Sequence, residues 1–79
     1  MNNKSLTEKH QKRLESLSCY LKELRLAEGM TQAEVANEIN LHRNTIVRVE
    51  NSKNISLVSL FILCDHYCIS IHEIFQDIK

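Results

Sequence analysis

The chain of 79 residues contains no proline, a single glycine and no long apolar run. The alternation of apolar and polar residues that is typical of strands is absent, and so are hairpin turn signals. Apolar residues instead recur at helical spacing along the chain, which predicts an all-α fold. No stretch approaches the roughly 20 apolar residues that a membrane-spanning helix needs. The first four residues lead into no apolar signal core, and we expect a cytoplasmic location without a membrane partner.

Charge is balanced rather than concentrated in one sign, with ten basic and ten acidic side chains. This balance argues against a nonspecific polycation. It does not argue against nucleic-acid binding, for which only the charge of the docking face matters. The first thirty residues carry an excess of basic side chains, whereas the segment from Ile55 onward carries an excess of acidic ones.

The chain lacks the residue sets that catalysis or metal binding requires. No nucleophile–base set, carboxylate pair or phosphate-binding glycine loop is present, so neither enzyme activity nor a cofactor is expected. His66 and His72 lie near Cys64 and Cys68, but there is no Cys-x-x-Cys pair, and we expect no metal. With Cys19 the cysteines number three, an odd count, and reduced thiols are expected rather than a disulfide framework.

Three segments predict helix starts, because each has the form of a capping box, in which a Ser or Thr and a Glu three residues later hydrogen-bond to each other's backbone. The first helix is predicted from Leu6 or Thr7 to Glu28, with Gly29 as its stop. Leucines at 14, 17, 21 and 24 form its buried stripe. The three boxes are Ser5-x-x-Glu8, Thr31-x-x-Glu34 and Ser70-x-x-Glu73.

Few apolar residues precede Ser16, so residues 1–16 are assigned to an N-terminal extension that is helical or partly disordered, and residues 17–79 to the folded domain. Ser56 is the predicted cap of a fourth helix, and Ile69 is a buried residue that follows it. A short fifth helix runs through Ile74 and Phe75 toward Ile78. The inner side of the fourth helix is predicted to carry Leu57, Leu60, Phe61, Leu63, Cys64 and Tyr67.

Residues 32–51 have the pattern of two short helices joined by a tight turn, a helix-turn-helix unit. Apolar residues at 35, 39, 41, 46 and 49 face inward, and Ala36 lies where the helices cross. Asn40 is the turn residue, because asparagine tolerates the left-handed conformation better than most residues do. The second helix begins near His42 or Arg43 and ends near Asn51.

Four side chains of this second helix point away from the predicted core. Arginine suits the guanine edge, asparagine the adenine edge, and valine the thymine methyl group. For the arginines and the asparagine the alternative is a phosphate contact. A further alternative for all four is that they are only exposed to solvent. The predicted base-reading residues are Arg43, Asn44, Val47 and Arg48.

Five motifs follow one another in order: Leu17-x-x-x-Leu21-x-x-Leu24-Arg25, Gly29-Met30-Thr31-Gln32-x-x-Val35-Ala36, Thr45-Ile46-x-x-Val49-Glu50-Asn51, Ser56-Leu57-x-x-Leu60 and Ile69-Ser70-Ile71-x-x-Ile74-Phe75. In this order and spacing they resemble the Cro/cI family, also called XRE or lambda-repressor-like. The resemblance implies a five-helix DNA-binding domain, here with an extended N-terminal helix. It also implies a transcriptional regulator that binds a palindromic operator on double-stranded DNA as a homodimer. Small controller proteins of restriction–modification systems have a similar organisation and are a candidate subfamily.

The same resemblance implies contacts outside the base-reading face. Arg25 and Glu50 fall where the family often has a buried ion pair between the first helix and the end of the recognition helix. The residue at position 32 is expected to contact phosphate and to support a residue of the recognition helix. The predicted phosphate contacts are Gln32, His42, Thr45, Asn51 and Lys53.

The chain departs from the family pattern at four positions. Asn40, Ser52 and Cys68 stand where glycine is usual, and His42 replaces a better helix cap such as Ser or Thr. None of the four departures removes a side chain that is expected to face DNA.

The fourth helix carries apolar residues where a solvated helix would show Lys or Glu. A small monomer seldom exposes such a patch, so a two-fold dimer interface is predicted there. It would set two recognition helices roughly 34 Å apart, one turn of DNA. The alternative is that the N-terminal extension, with Leu6 and Leu14, folds over this face. The predicted interface residues are Ile55, Val58, Phe61, Ile62, Ile71, Phe75 and Ile78.

The function expected from the sequence is therefore autoregulatory transcription control, because so short a chain leaves little room for a ligand-sensing domain. The main alternative is the antitoxin of a toxin–antitoxin pair, whose apolar face would bind a toxin protein. A protein-interaction module without DNA is less favoured, because the recognition face carries base-reading side chains. Val47 could contact RNA polymerase instead of DNA.

Overall fold

The computed structural model describes residues 4–76 and 78, with side chains from residue 7 onward. All regular secondary structure in this part of the chain is helical, which confirms the predicted all-α fold of five helices. No helix among the described residues is long and apolar enough to cross a membrane. The helices are α1 (Lys4–Ala27), α2 (Gln32–Glu38), α3 (Arg43–Glu50), α4 (Leu57–Tyr67) and α5 (Ile71–Phe75).

Helix α1 is longer at its start than the capping signal predicted. Ser5 lies inside the helix, so its predicted role as the cap was wrong, since a cap residue needs non-helical backbone angles. No proline or glycine interrupts the segment before Gly29, so nothing forces the helix to stop at Ser5. The helix continues unbroken past residue 16, and the division of the chain at that position stays a prediction.

Gly29 ends α1 as predicted. Its φ of +70° lies in the left-handed region, and its backbone N–H donates to the Leu26 carbonyl at 3.0 Å. The reversal satisfies a terminal carbonyl of α1 and directs the chain toward α2.

A single apolar core lies between the helices, with α1 packing against α3 and α5, α2 against α3, and α4 against α5. The predicted stripe of α1 is buried at two positions and half-buried at Leu14 and Leu24. The buried apolar residues are Leu17, Leu21, Val35, Ala36, Ile46, Val49, Leu60, Leu63, Cys64, Tyr67 and Ile74.

Two residues that were assigned to the inner side of α4 lie on its outer side. Leu57 is 66% exposed and Phe61 is 48% exposed. These residues are four apart and share one face, whereas the core face is formed at 60, 63, 64 and 67. Ile69 is half-buried rather than buried, and α5 ends at Phe75, before Ile78. A helix that is apolar all round does not reveal its inner face by composition alone.

Among the residues that the structure describes, three other than glycine have left-handed backbone angles. They are Asn40 and Ser52, both at φ +60°, and Cys68 at φ +57°. Each follows a helix and reverses the chain direction, and each stands where the family resemblance has glycine. A side chain in this conformation costs about 1–2 kcal/mol, less for asparagine.

Glycine at the two most strained of these positions should stabilise the protein. We expect Ser52→Gly and Cys68→Gly each to raise the free energy of unfolding by about 0.5–1 kcal/mol, because relief of strain exceeds the added entropy of the unfolded chain. Urea denaturation measures the change. Gly29→Ala is the matched control, because its new Cβ would meet nothing within 4 Å and would report backbone strain alone. A Ser52→Gly variant less stable than the parent would contradict the prediction.

Candidate nucleic-acid interface

Helix α2 begins with a complete capping box. The Thr31 hydroxyl accepts from the Glu34 backbone N–H at 3.1 Å, and the Glu34 carboxylate accepts from the Thr31 backbone N–H at 2.8 Å. The hydrogen bond from the Thr31 backbone is the main cause that lowers the pKa of Glu34. Ser56 and Ser70 cap α4 and α5 through their hydroxyls. Among the described residues, only the box at Thr31 has both reciprocal hydrogen bonds.

The turn between α2 and α3 is closed by a backbone hydrogen bond from Leu41 N–H to the Ala36 carbonyl at 2.9 Å. Asn40 takes the left-handed conformation that the sequence predicted for the turn residue. Val35 and Ala36 are buried, while Ile39 and Leu41 are half-buried. The small side chain of Ala36 permits the close crossing of the two helices.

His42 caps the recognition helix α3 despite its departure from the usual cap residues. Its Nδ1 atom accepts from the Asn44 backbone N–H at 3.0 Å. In a neutral ring the acceptor nitrogen carries no hydrogen, so Nε2 carries it. The sequence analysis did not assign this role because it took a Ser or Thr hydroxyl as the better helix cap.

The structure brings the four predicted base-reading residues to one face of α3. Arg43, Asn44 and Arg48 are exposed and Val47 is half-buried. The opposite face carries Ile46 and Val49, which are buried in the core. The other three residues lie one, four and five positions after Arg43, a helical spacing that places all four side chains on the outer side.

The five predicted phosphate residues differ in exposure and in what they contact. His42, Asn51 and Lys53 are exposed, and Thr45 is half-buried. Gln32 is half-buried, and its Nε2 donates to the Glu50 carboxylate at 3.2 Å.

The loop after α3 has a contact that the sequence did not reveal. The Nε2 atom of Gln11, on α1, donates to the Ser52 carbonyl at 3.3 Å. The N-terminal half of α1 therefore lies beside the loop that carries Asn51 and Lys53. Because 41 positions separate the two hydrogen-bonding residues, no local sequence signal could have predicted this contact.

Arg25 and Glu50 form the ion pair that the family resemblance implied. Arg25 Nε lies 2.8 Å from Glu50 Oε2, and Arg25 Nη2 lies 3.0 Å from Oε1. The third guanidinium nitrogen donates to the Met30 carbonyl at 2.8 Å. Their side chains are only 10% and 4% exposed, and the hydrogen bond to Glu50 raises the pKa of Arg25. The pair fixes the end of α3 to α1 and to the segment that enters α2.

Several titratable side chains lie outside the set of predicted DNA contacts. Burial raises the pKa of Tyr67 to about 12 and also raises the pKa of the Cys64 thiol. His66 Nε2 lies 3.0 Å from a Glu28 carboxylate oxygen. Cys19, Cys64 and Cys68 are free thiols. No cluster of three or more metal-ligating His, Cys, Asp or Glu side chains exists within the described part of the chain.

The outer face of α4 is apolar and, as far as the described residues show, exposed. Val58 is 65% exposed, and Leu57, which the sequence reasoning placed inside, adjoins it. Phe61 and Phe75 are also exposed. The remaining predicted interface residues, Ile55, Ile62, Ile71 and Ile78, are half-buried.

The N-terminal extension leaves this face open over its described length. Helix α1 carries residues 4–16 as a continuation of its own axis, and Val58 stays largely exposed. Leu14 is half-buried, and the side chain of Leu6 lies outside the described residues.

A helical domain in which two capped helices cross at a tight turn, and the second presents two arginines and an asparagine outward, belongs to the helix-turn-helix class of DNA-binding domains. A family model described as helix-turn-helix matches residues 21–74, most of the chain. The chain belongs to this family, of the XRE or Cro/cI type, and is a DNA-binding transcription regulator. Comparison with curated proteins and with solved structures found no match.

Proposed function

We propose that this regulator binds a palindromic operator as a homodimer and controls its own synthesis. The observation that carries the proposal is the outer face of α3, where Arg43, Asn44 and Arg48 are exposed on the side opposite the core. An α-helix fits the major groove, where arginine reads guanine and asparagine reads adenine. Val47, half-buried beside them, suits contact with a thymine methyl group.

Contacts to the phosphate backbone of DNA orient the recognition helix on the duplex. The exposed ring of His42 caps α3 through Nδ1, which leaves an Nε2 hydrogen for a phosphate oxygen. Thr45, on the same helix, is a second phosphate contact. Asn51 and Lys53 extend the phosphate contacts beyond α3. For Gln32 the hydrogen bond to Glu50 argues against phosphate contact as its main role.

The apolar face of α4 supports the dimer. A second copy would cover Leu57, Val58 and Phe61, which are otherwise exposed to water. Two linked recognition helices bind far more tightly than one, because the second contact becomes intramolecular. Binding then rises steeply with protein concentration, which suits autoregulation in the cytoplasm and the manner of restriction–modification controller proteins.

One observation favours a second candidate function. The exposed apolar face is wider than the sequence indicated, because Leu57 belongs to it. An antitoxin would use the same face to bind its toxin protein. Recovery of a heteromeric complex from co-expression with the adjacent gene, in place of a homodimer, would favour this candidate.

Selection of bound sequences from a random duplex library tests the main proposal. We expect a palindromic site and an affinity that falls as salt rises. Arg43→Ala should weaken binding by about 1–3 kcal/mol and relax the preference at one base pair in each half-site. Lys53→Ala should weaken binding to all sequences. It should also reduce the slope of log affinity against log salt concentration by about one, the share of a single phosphate contact.

The matched control for charge removal is Lys22→Ala, because Lys22 is an exposed lysine on α1. This variant should leave both the affinity and its salt dependence near the parent values. If the library yields no preferred sequence, base reading by α3 is refuted. If Arg43→Ala weakens all sequences equally, Arg43 is a backbone contact and the proposed reading of guanine is wrong.

A further inference from the structure

His42 holds the first turn of the recognition helix through two of its atoms. Its Nδ1 accepts from the Asn44 backbone N–H at 3.0 Å, and its carbonyl oxygen accepts from the Thr45 backbone N–H at 2.9 Å. Its own backbone angles, φ −69° and ψ 141°, are extended, as a cap residue requires. Two of the N–H groups at the start of α3, which have no partner one turn earlier, are therefore satisfied by this one residue.

The His42 imidazole can accept its hydrogen bond in only one protonation state. In the neutral ring Nδ1 offers a lone pair and Nε2 carries the hydrogen, whereas in the charged ring both nitrogens are donors. Protonation therefore sets the ring N–H against the Asn44 N–H, and the side-chain cap is lost. The added positive charge also lies at the N-terminus of α3, where the helix dipole disfavours it. A Ser, Thr or Asn cap has no such dependence on pH.

Two of the predicted base-reading residues, Arg43 and Asn44, belong to the turn that this cap holds. Both are exposed, so hydrogen bonds within the first turn, rather than packing, fix their backbone. Arg48 lies in the part of α3 that Ile46 and Val49 anchor in the core. Loss of the cap should therefore disturb the bases read from the first turn and spare the base read by Arg48.

Other charged side chains lie on the two helices that flank His42. The two arginines stay charged throughout the pH range in which histidine titrates. Two carboxylates are already bound, Glu34 by the Thr31 backbone and Glu50 by Arg25, which reaches α3 at the end opposite His42. Glu38 is exposed at the end of α2, so its substitution controls for charge near the cap. The charged side chains of α2 and α3 are Glu34, Glu38, Arg43, Arg48 and Glu50.

We propose that His42 is a proton-sensitive positioning residue, which makes base reading by the first turn of α3 depend on pH while base reading by Arg48 does not. Histidine changes charge between about pH 5 and 8, so the cap is present at the upper end of this range and lost at the lower end. The inference rests on the proposed function, because it assigns Arg43 and Asn44 to base reading. It arises from a departure of this chain from the family pattern, since Ser or Thr is the more usual cap.

Affinities for the selected operator and for duplexes with one changed base pair, measured at about pH 8 and about pH 5.5, test the proposal. Lowering the pH should reduce discrimination about fivefold at the base pairs that Arg43 and Asn44 read, the size of the loss of one helix cap. Discrimination at the base pair that Arg48 reads should be unchanged. A ratio between two duplexes at one pH is independent of the folded fraction, so partial unfolding in acid does not produce this result.

Two variants separate the roles of the two ring nitrogens. The amide oxygen of asparagine lies near the position of Nδ1, so His42→Asn supplies a cap that does not titrate. Its discrimination should stay at the parent's high-pH value throughout, while its affinity falls on all duplexes with the lost Nε2 donor. The amide nitrogen of glutamine lies near the position of Nε2, so His42→Gln keeps that donor without the cap. It should show the parent's low-pH discrimination at both pH values.

Two control variants and one measurement without DNA complete the test. His72→Asn removes another exposed histidine, on α5, and Glu38→Gln removes the carboxylate near the cap; both should keep the pH dependence of the parent. In the free protein, the NMR shift of the Asn44 backbone amide should follow the titration of the His42 ring. The same shift should be independent of pH in His42→Asn.

Two results would overturn the inference. One is constant discrimination by the parent over the whole pH range. The other is a fall of the same size in His42→Asn, which would assign the pH dependence to another group. If His42→Asn does not fold, His42→Ser carries the same test with a hydroxyl cap. The proposed function fails separately, when the unaltered protein shows no sequence preference even at high pH although the Asn44 amide still follows the His42 ring.

Discussion

Glu50→Gln is expected to lower the free energy of unfolding by about 3–5 kcal/mol, because it leaves the buried Arg25 guanidinium without a counter-ion. The exchange keeps the size and shape of the side chain, so the loss reports charge rather than packing. Arg25 is 8% exposed, and its hydrogen bonds run to Glu50 and to the Met30 carbonyl. Since a domain of this size has a total stability of only about 4–12 kcal/mol, the loss removes a large share of it and lowers the thermal midpoint.

Urea denaturation of the parent and the variant measures this loss. Glu38→Gln makes the same exchange at an exposed position of α2 and should change stability by less than about 0.5 kcal/mol. The double variant Arg25→Met with Glu50→Leu should recover most of the loss, because a buried ion pair can be replaced by apolar groups at little cost. A loss below about 1 kcal/mol in Glu50→Gln would show that the pair is not desolvated.

Phe61→Glu is expected to produce a monomer whose affinity for the operator is lower by a factor of about 10²–10⁴, the contribution that a linked second site makes. Phe61 is 48% exposed in the single chain, so the glutamate is solvated in the monomer and the fold is retained. In the dimer the new carboxylates would be buried against an apolar surface without partners, which is strongly unfavourable. The variant therefore separates association from folding.

Solution mass, circular dichroism and operator titration together measure the effect. Ser16→Glu introduces the same carboxylate at an exposed position of α1 and should leave both mass and affinity unchanged. A Phe61→Glu protein that keeps the dimer mass would exclude the α4 face as the interface. A protein that becomes monomeric but binds the operator as tightly as before would exclude the dimer from DNA recognition.

Local signals predicted the helix-turn-helix unit correctly. The Thr31 capping box, the turn at Asn40 and the end of α1 at Gly29 each depend on residues within a few positions of one another. The same is true of the outward face of α3, because helical spacing alone decides which residues oppose Ile46 and Val49. Asn40, Ser52 and Cys68 stand where the family usually has glycine, and all three have left-handed backbone angles.

The fourth helix marks the limit of this reasoning. Leu57 was assigned to the inner side, and Phe61 was assigned both to the inner side and to the outer interface, yet the structure exposes both. A helix with apolar residues all round has no periodic signal to identify its inner side. The residue pattern had already indicated an apolar outer stripe. It did not show how far that stripe extends, because this depends on where α1 and α5 pack.

The sequence by itself determined the all-helical fold, the motif and the residues that α3 presents outward, since these follow from local backbone preferences and helical period. The family resemblance implied the Arg25–Glu50 pair, but only the tertiary structure decided that Gln32, 18 positions away, also donates to Glu50. It likewise decided that the Gln32 amide nitrogen faces inward and that Gln11 reaches Ser52. Hydrogen bonds between distant residues are set by how helices cross, and spacing along the chain does not encode that angle.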